Sequence, residues 1–171
     1  PDAILVAGDH ALGAPYPAEV LDRLLERGAA LINGNRDLWL FRARRGDPPP
    51  GWYEGEHCGS GRWTSAQLGD DRLDCLEALP VSTTLDLPGA TAVRMVHGSL
   101  AGPYGRVLPD DDPALLQRYR RNGGKPTPED SATLALRAIS EPVLVCGHTH
   151  LQWHQHLDGR LAVNPGSVGE S

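Results

Sequence analysis

The sequence lacks long apolar runs, paired cysteines and an excess of positive charge. No stretch approaches the roughly 20 consecutive apolar residues of a membrane-spanning helix, and no basic-then-apolar signal segment precedes the first strand-like run. The sequence therefore predicts a soluble chain that neither spans a membrane nor is anchored to one. Its formal net charge of -6 opposes sequence-independent binding to a phosphate backbone, which depends on clustered Lys and Arg. Long nucleic acid is therefore an unfavourable partner.

Cysteine is scarce, with three residues that are odd in number and widely spaced. No Cys-x-x-Cys pair indicates a structural zinc or a redox site, so free thiols in a reducing cytoplasm fit best. Cys146 lies at the end of an apolar run, where burial as a small hydrophobe is expected instead of reactivity. The cysteine pattern therefore predicts a cytoplasmic location and gives Cys146 no chemical role.

The length and composition fit one globular domain over residues 1–171. With 40% hydrophobic and 22% charged residues, the chain can bury one sizeable core. It opens at Pro1, without an initiator Met, and enters an apolar run at once. We therefore expect further residues upstream.

The predicted elements alternate between strands and helices. Residues 3–7 have the pattern of a fully buried strand, a helix with apolar positions from Val20 to Leu25 is closed by Gly28, and residues 31–32 form a second strand. This order indicates a crossover unit in a parallel or mixed sheet. Farther along, we predict helices at residues 64–79, 113–119 and 128–139, and strands at 83–87, 92–96, 143–146, 152–157 and 161–163.

The connections carry their own signals. Pro88-Gly89 and Asp158-Gly159 are typical of tight turns between antiparallel strands. Residues 46–61 are rich in proline and glycine and predict a surface loop. The acidic run at residues 110–112 is interpreted as a helix N-terminus in preference to a metal site.

A recurring feature of the chain is an apolar run that ends in glycine followed by a metal-capable residue. In open α/β sheets, residues beyond the carboxyl ends of strands converge although they are distant in sequence. A fourth run, ending at Val96, delivers His97 in the same way. The three glycine-led pairs are Gly8-Asp9, Gly34-Asn35 and Gly147-His148.

Each of these signals alone is weak, because a single Asp or His after a strand is more often a turn former or a helix cap. The pair His148-Thr149-His150 is stronger. Alternate residues on an extended segment can bind two neighbouring ions, and imidazole suits zinc, iron, manganese and nickel. Together with one Asp and one Asn at similar positions, this pair favours a metal site over a chance arrangement of these residues.

The ordered motifs resemble those of the calcineurin-like metallophosphoesterase superfamily, and most closely its small bacterial phosphodiesterase branch. The resemblance covers nearly the whole chain and includes the run from Arg62 to Pro80. The motifs that carry it are Gly8-Asp9, Gly34-Asn35-Arg36-Asp37, Val96-His97-Gly98, Gly147-His148-Thr149-His150 and Asn164-Pro165-Gly166-Ser167-Val168-Gly169.

The resemblance implies an α/β (α+β) fold, in which two mixed sheets pack as a sandwich flanked by helices and hold two metals at one end. It implies that Asp9 bridges both metals, while Asn35, His97 and His148 bind one and His150 helps to bind the other. Two divalent ions, drawn from manganese, iron, zinc, nickel and cobalt, would activate a shared water as hydroxide. The implied catalytic residues are Asn35, Arg36 and His97, and the implied partner is a small phosphate-ester substrate.

The sequence also departs from the family pattern. The family's upstream Asp-x-His motif is absent, and further strands usually follow the Asn-Pro-Gly-Ser motif, so we expect both ends to be incomplete. Arg36 stands where many phosphomonoesterases carry a His acid, and a guanidinium cannot supply that proton near neutral pH. It either clamps a phosphate oxygen or pairs with a local acid such as Asp37. The missing acid favours diesters over monoesters.

Four other features have less direct interpretations. His10 has two interpretations: it reaches the site from its place directly after Asp9, or it is an exposed loop residue, which is the preferred expectation. His154 and His156 are expected to lie on a partly exposed sheet face. The motif that begins at Asn164 is expected to support the site through its backbone geometry.

An alternative function is a catalytically weak or inactive scaffold for protein interactions, and the sequence does not indicate an oligomeric state.

Overall fold

A computed structural model describes residues 3–50, 52, 58–87 and 91–169. The described residues form helices and a mixed five-stranded sheet, which confirms the predicted α/β class. The chain divides into two compact units, Pro1–Val81 and Ser82–Ser171, which are called unit 1 and unit 2 below. No helix among the described residues is long and apolar enough to cross a membrane.

Unit 1 begins with the predicted crossover. Strands β1 (Leu5–Val6) and β2 (Ala30–Leu31) pair in parallel, and helix α1 (Pro17–Glu26) connects them. Gly28 follows α1 with a φ of 63°, a conformation that glycine adopts without a Cβ clash. Both residues of β1 are only partly buried, so the prediction of a fully buried strand was wrong. The apolar run alone did not distinguish complete from partial burial.

Two further helices complete unit 1. Helix α2 (Asn35–Arg44) was not predicted, and α3 (Cys58–Glu77) begins six residues before the predicted start at residue 64 and is interrupted at Gly69. Arg72 on α3 donates two hydrogen bonds to Asp22 on α1, at 2.8 and 2.6 Å. The buried core of the unit consists of Ala11, Leu21, Leu31, Leu40, Phe41, Trp52, Leu68, Leu73 and Leu76.

Unit 2 is built around the five-stranded sheet. Its strands lie in the order β3-β4-β5-β7-β6, with parallel pairing at β4–β5 and β5–β7 and antiparallel pairing at both ends. The antiparallel pairs confirm the two hairpin-like connections, although the turn predicted at residues 88–89 lies outside the described residues. So do residues 51 and 53–57 of the predicted loop. The strands are β3 (Ser82–Asp86), β4 (Ala92–Val96), β5 (Val143–Val145), β6 (Gln152–Leu157) and β7 (Arg160–Pro165).

The helices of unit 2 lie between β4 and β5 along the chain. Helix α4 (Pro113–Arg121) begins as predicted, with the side chain of Asp112 accepting a 2.8 Å hydrogen bond from Leu115 N. The helix predicted at residues 128–139 is instead a 3-10 turn at Pro128–Asp130 followed by α5 (Ala132–Arg137). Ser131 separates them, because its backbone is extended and its hydroxyl caps α5.

Cys146 is fully buried in the core of unit 2, and burial raises the pKa of its thiol to about 12. Its Sγ lies 3.6 Å from the carbonyl oxygen of Val163. A thiol with so high a pKa forms almost no thiolate at neutral pH, and thiolate is the reactive form. The structure therefore confirms that Cys146 is buried among apolar residues.

Asp110 connects the start of α5 to β6 through hydrogen bonds. Its carboxylate accepts from Thr133 N at 2.8 Å and from Gln155 Nε2 at 3.2 Å. Partial burial opposes ionisation, but the hydrogen bonds from Thr133, Ser131 and Gln155 outweigh it and lower the pKa of Asp110.

The lowered pKa of Asp110 predicts a pH-dependent stability contribution. Because the folded-state pKa lies below the unfolded value, the contribution is complete above the unfolded pKa of about 3.9 and is lost as the pH falls through the folded pKa. Asp110→Ala is expected to cost about 1 kcal/mol of unfolding free energy at pH 7, and this difference should shrink below about pH 4. Urea unfolding of both proteins across that range measures it. A difference that stayed constant down to pH 2.5 would contradict the assignment.

Candidate metal centre

Asp9 follows β1 in unit 1 and is held at both its backbone and its side chain. Asp9 N donates a 2.8 Å hydrogen bond to Asp37 Oδ2, and Asp9 Oδ1 accepts a 2.9 Å hydrogen bond from Arg36 N at the start of α2. Its φ of 58° lies in the left-handed region that non-glycine residues rarely adopt. The contacts with α2 thus fix a metal-capable carboxylate in an unfavourable backbone conformation.

Asp37 is the buried anchor of this arrangement. Its carboxylate is inaccessible to solvent and accepts hydrogen bonds from three backbone amides: Asp9 N, Gly34 N at 2.9 Å and His10 N at 3.1 Å. Burial raises the pKa of this carboxyl, and the nearby Asp9 charge raises it further, while His10 and the amide donors act in the opposite direction. From the sequence, Asp37 was expected only as a partner for Arg36, and its role as an anchor was not predicted. A Gly at the helix N-cap with an Asp three residues later was the available signal.

Gly34 lies so close to Asp9 that no side chain fits at this position. Its φ of -96° is accessible to any residue, but an added Cβ would lie 2.6 Å from the backbone nitrogen of Asp9. The same Cβ would also overlap the Asp9 carboxylate. The glycine before Asn35 therefore allows the start of α2 to approach Asp9 closely.

Asn35 and Arg36 are the first two residues of α2, so they lie beside Asp9. Asn35 is buried, with 5% of its surface exposed. Arg36 Nε lies 4.0 Å from Asp9 Oδ2, and its side chain remains about a quarter exposed, at 26%. Unit 1 thus brings together three of the predicted site residues: Asp9, Asn35 and Arg36.

His10 is not the exposed loop residue that the sequence predicted. It is 7% exposed, and its Nε2 lies 2.8 Å from the carbonyl oxygen of Ile32. The expectation was wrong because the ring of His10 contacts the backbone of Ile32, which directly follows β2. The residues next to His10 in the sequence give no sign of this distant partner.

In unit 2, the parallel pairing of β4 and β5 brings His97 and His148 together. Gly147 N donates a 2.7 Å hydrogen bond to His97 O, which joins the ends of the two strands. The imidazole centroids are 5.2 Å apart and the rings are inclined at 71°. Two imidazoles that share a tetrahedral metal, with metal–nitrogen bonds of about 2.0 Å, have centroids about 5 Å apart. The observed pair therefore fits a shared transition-metal ion.

The backbone around the His pair is unusual. His148 and His150 have φ values of 65° and 58°, in the left-handed region. The fourth described non-glycine residue with positive φ is Asp158, which belongs to the β6–β7 hairpin turn. The other three, Asp9 included, are predicted metal ligands. Backbone strain of this kind concentrates at functional sites, which favours a ligand role for these residues.

Asn164 on β7 supports the segment from Gly147 to His150. It is fully buried, and its Nδ2 donates to Gly147 O at 2.7 Å and to Thr149 Oγ1 at 3.1 Å. Its Oδ1 accepts a 2.9 Å hydrogen bond from Gly166 N. These contacts agree with the supporting role expected for the Asn164 motif and identify the side chain, as well as the backbone, as the support.

Replacing Asn164 with Ala is expected to weaken metal binding by about 10–100-fold, because the left-handed segment would lose its side-chain support. The same change leaves Gly147 O without its buried donor, which should cost about 1–3 kcal/mol of unfolding free energy. Calorimetric titration with Zn²⁺ and urea unfolding measure the two effects. Gln152→Ala, an exposed amide on β6, is the control and should change neither. Unchanged zinc affinity in the Asn164 variant would contradict the supporting role.

Within residues 3–50, 52, 58–87 and 91–169, no group of three or more His, Cys, Asp or Glu side chains is placed to hold a metal ion. Among the predicted ligands, unit 1 contains a carboxylate and an amide, and unit 2 contains imidazoles.

Comparisons with known proteins identify a family from the sequence and similar folds among solved structures. The sequence profile of the calcineurin-like phosphoesterase superfamily domain matches residues 1–171. No curated protein matches the chain. Among solved structures, a hypothetical protein from Pyrococcus horikoshii OT3 is similar, with a TM-score of 0.69 and 17% identity. A metallophosphoesterase from Sphaerobacter thermophilus is similar too, with a TM-score of 0.64 and 24% identity.

These two structural matches cover 98% of this chain in both cases. The chain spans only 64% of the Pyrococcus protein and 66% of the Sphaerobacter protein. At these levels of identity the matches establish the fold.

Proposed function

Because this chain belongs to the calcineurin-like phosphoesterase superfamily, we propose that it is a metal-dependent phosphoric ester hydrolase with two divalent cations. The observation that carries the proposal is the His97–His148 pair, whose 5.2 Å centroid separation fits a shared metal. The proposed metal ligands are Asp9, Asn35, His97, His148 and His150. When bound, the metals would supply Lewis acidity toward a phosphoryl oxygen and lower the pKa of a water molecule.

The residues of the chain have separate proposed roles. Asp9 would help to hold the cations through its carboxylate, whose orientation is fixed by a hydrogen bond from Arg36 N. His97 is 2% exposed, so its imidazole is well shielded from competing water. Arg36 would bind a non-bridging phosphate oxygen, because its partly exposed guanidinium lies beside Asp9 and a guanidinium donates paired hydrogen bonds that match phosphate oxygens.

The proposed substrate is a small phosphodiester, which follows from Arg36. A guanidinium stabilises negative charge on phosphorus but does not protonate a departing alkoxide. A diester with a good leaving group needs no such acid, whereas many monoesterases of the family have a histidine at this position. We therefore propose a preference for diesters over monoesters.

The test compares manganese-dependent hydrolysis of bis(p-nitrophenyl) phosphate with that of p-nitrophenyl phosphate. It should be run on residues 1–171 and on the longest form of the protein that the gene encodes. Faster metal-dependent turnover of the diester, abolished by a chelator, supports the proposal. Turnover of the monoester alone would overturn the substrate preference. Absence of metal-dependent turnover in both forms would favour the alternative, an inactive scaffold for protein interactions.

A further inference from the structure

We propose that His10 is a positioning residue that holds the metal ligand Asp9 in its left-handed conformation by joining the segment after β1 to the end of β2. This inference rests on the proposed function, because it assigns His10 a task in metal binding. The residue has no place in the ligand set of the chain.

The imidazole of His10 forms a buried connection between two segments of unit 1. Its side chain is inaccessible to solvent, and Nε2 donates a 2.8 Å hydrogen bond to the carbonyl oxygen of Ile32, which is itself fully buried. Because a carbonyl oxygen can only accept, Nε2 must carry the hydrogen. Ile32 immediately follows β2, so this bond joins the residue after Asp9 to the neighbouring strand end.

The backbone of His10 is fixed independently of its side chain. His10 N donates a 3.1 Å hydrogen bond to Asp37 Oδ1, while Asp9 N donates to Asp37 Oδ2. The two successive amides therefore share one carboxylate. His10 is anchored to Asp37 by its backbone and to Ile32 by its ring, and Asp9 precedes it directly.

This double anchoring explains how Asp9 is kept at a φ of 58°. A non-glycine residue remains in the left-handed region only when surrounding contacts over-determine its conformation. The ring of His10 limits rotation of the chain directly after Asp9, and Arg36 N orients the carboxylate from the other side. Without the ring, the residue after Asp9 keeps a single anchor, and the carboxylate can leave the orientation needed for a metal.

The test uses two substitutions at His10 that differ in one hydrogen bond. His10→Gln places an amide N–H near the position of Nε2 and can still donate to Ile32 O, whereas His10→Leu fills similar space and cannot. His154→Leu, which removes an exposed imidazole on β6, is the matched control. Cobalt(II) affinity by calorimetry and the visible spectrum of bound cobalt are measured for all three variants and the unaltered protein, together with thermal unfolding.

His10→Leu is expected to weaken cobalt affinity by about 10–100-fold and to alter the cobalt spectrum, in the range found for residues that orient metal ligands. His10→Gln should stay within about threefold of the unaltered protein, and His154→Leu should match it. If His10→Leu does not fold, His10→Asn replaces it, because the shorter amide does not reach Ile32 O and the same loss is expected.

Three outcomes distinguish failure of this inference from failure of the proposed function. An unaltered protein that binds cobalt, beside a folded His10→Leu variant with unchanged affinity and spectrum, would overturn the role of His10 only. A lower unfolding temperature with unchanged affinity would also overturn it, because the residue would then be merely structural. An unaltered protein that binds no cobalt would overturn the proposed function and the role of His10 together.

Discussion

His148→Ala is expected to reduce metal-dependent hydrolysis by at least about 100-fold while the protein remains folded. Changing a residue that only orients a ligand typically costs 10–100-fold, so removing a ligand should cost at least as much. The fold should tolerate the change, because His148 is only partly buried and Ala meets the same left-handed backbone at a φ of 65°. Metal-dependent turnover and zinc affinity measure the loss, and circular dichroism checks the fold.

A second substitution at the same position separates function from stability. His148→Gly should also lose activity. Because it removes the Cβ that clashes in the left-handed region, its unfolding free energy should be about 1 kcal/mol higher than that of His148→Ala. His154→Ala, an exposed histidine of the same unit, should leave both quantities unchanged. Retained full activity in either His148 variant would refute the ligand assignment.

Asp37→Ala is expected to cause the largest loss of stability among the predicted variants. It leaves the amides of Asp9, His10 and Gly34 without their carboxylate acceptor in a buried region. Each buried donor without an acceptor costs about 1–3 kcal/mol, so the total should be on the order of 4 kcal/mol or more. That is a large share of the 5–15 kcal/mol that typically stabilises a domain, so a fraction of the protein should unfold at room temperature.

Asp37→Asn tests whether the acceptor geometry, and not the side-chain volume, is responsible. The amide fills the same space but has one oxygen in place of two, so at least one backbone N–H faces an amide nitrogen. An intermediate loss between that of Ala and that of the control is expected. Asp70→Asn is the control, because that carboxylate is 84% exposed and should change the unfolding free energy by less than about 0.5 kcal/mol. Urea unfolding that ranked Asp37→Ala with Asp70→Asn would contradict the anchoring role.

The fold was predictable where local signals agree with tertiary structure. The Asp158-Gly159 turn predicts the β6–β7 hairpin, because only a two-residue loop with positive φ fits between those strands. The acidic run before Pro113 marks the start of α4, since Asp112 caps it. Where an isolated turn residue interrupts a helical pattern, as Ser131 does before α5, the pattern alone overestimated the helix.

Parts of the candidate site were not predictable, because they depend on contacts between distant residues. The glycine-led pairs predicted where Asp9 and His148 lie relative to their strands, but not that both have left-handed backbones. Asp37 was considered only as a partner for Arg36, although the three backbone amides that donate to it come from two separate segments. The burial of His10 depends on Ile32, which is distant in sequence and follows the other strand. That all five predicted ligands belong to one metal centre stays a prediction.

The parallel pairing of β4 with β5 has a consequence for the order of folding. Both α4 and α5 lie between these strands along the chain, so the pairing closes a long loop before any contact compensates for the lost entropy. We therefore expect His97 and His148 to become neighbours only late in folding. A ligand that needs both side chains binds the native state and not the transition state, so it should slow unfolding and leave the folding rate unchanged. The kinetic lifetime of the native protein would then depend on the metal supply, while the speed at which a new chain folds would not.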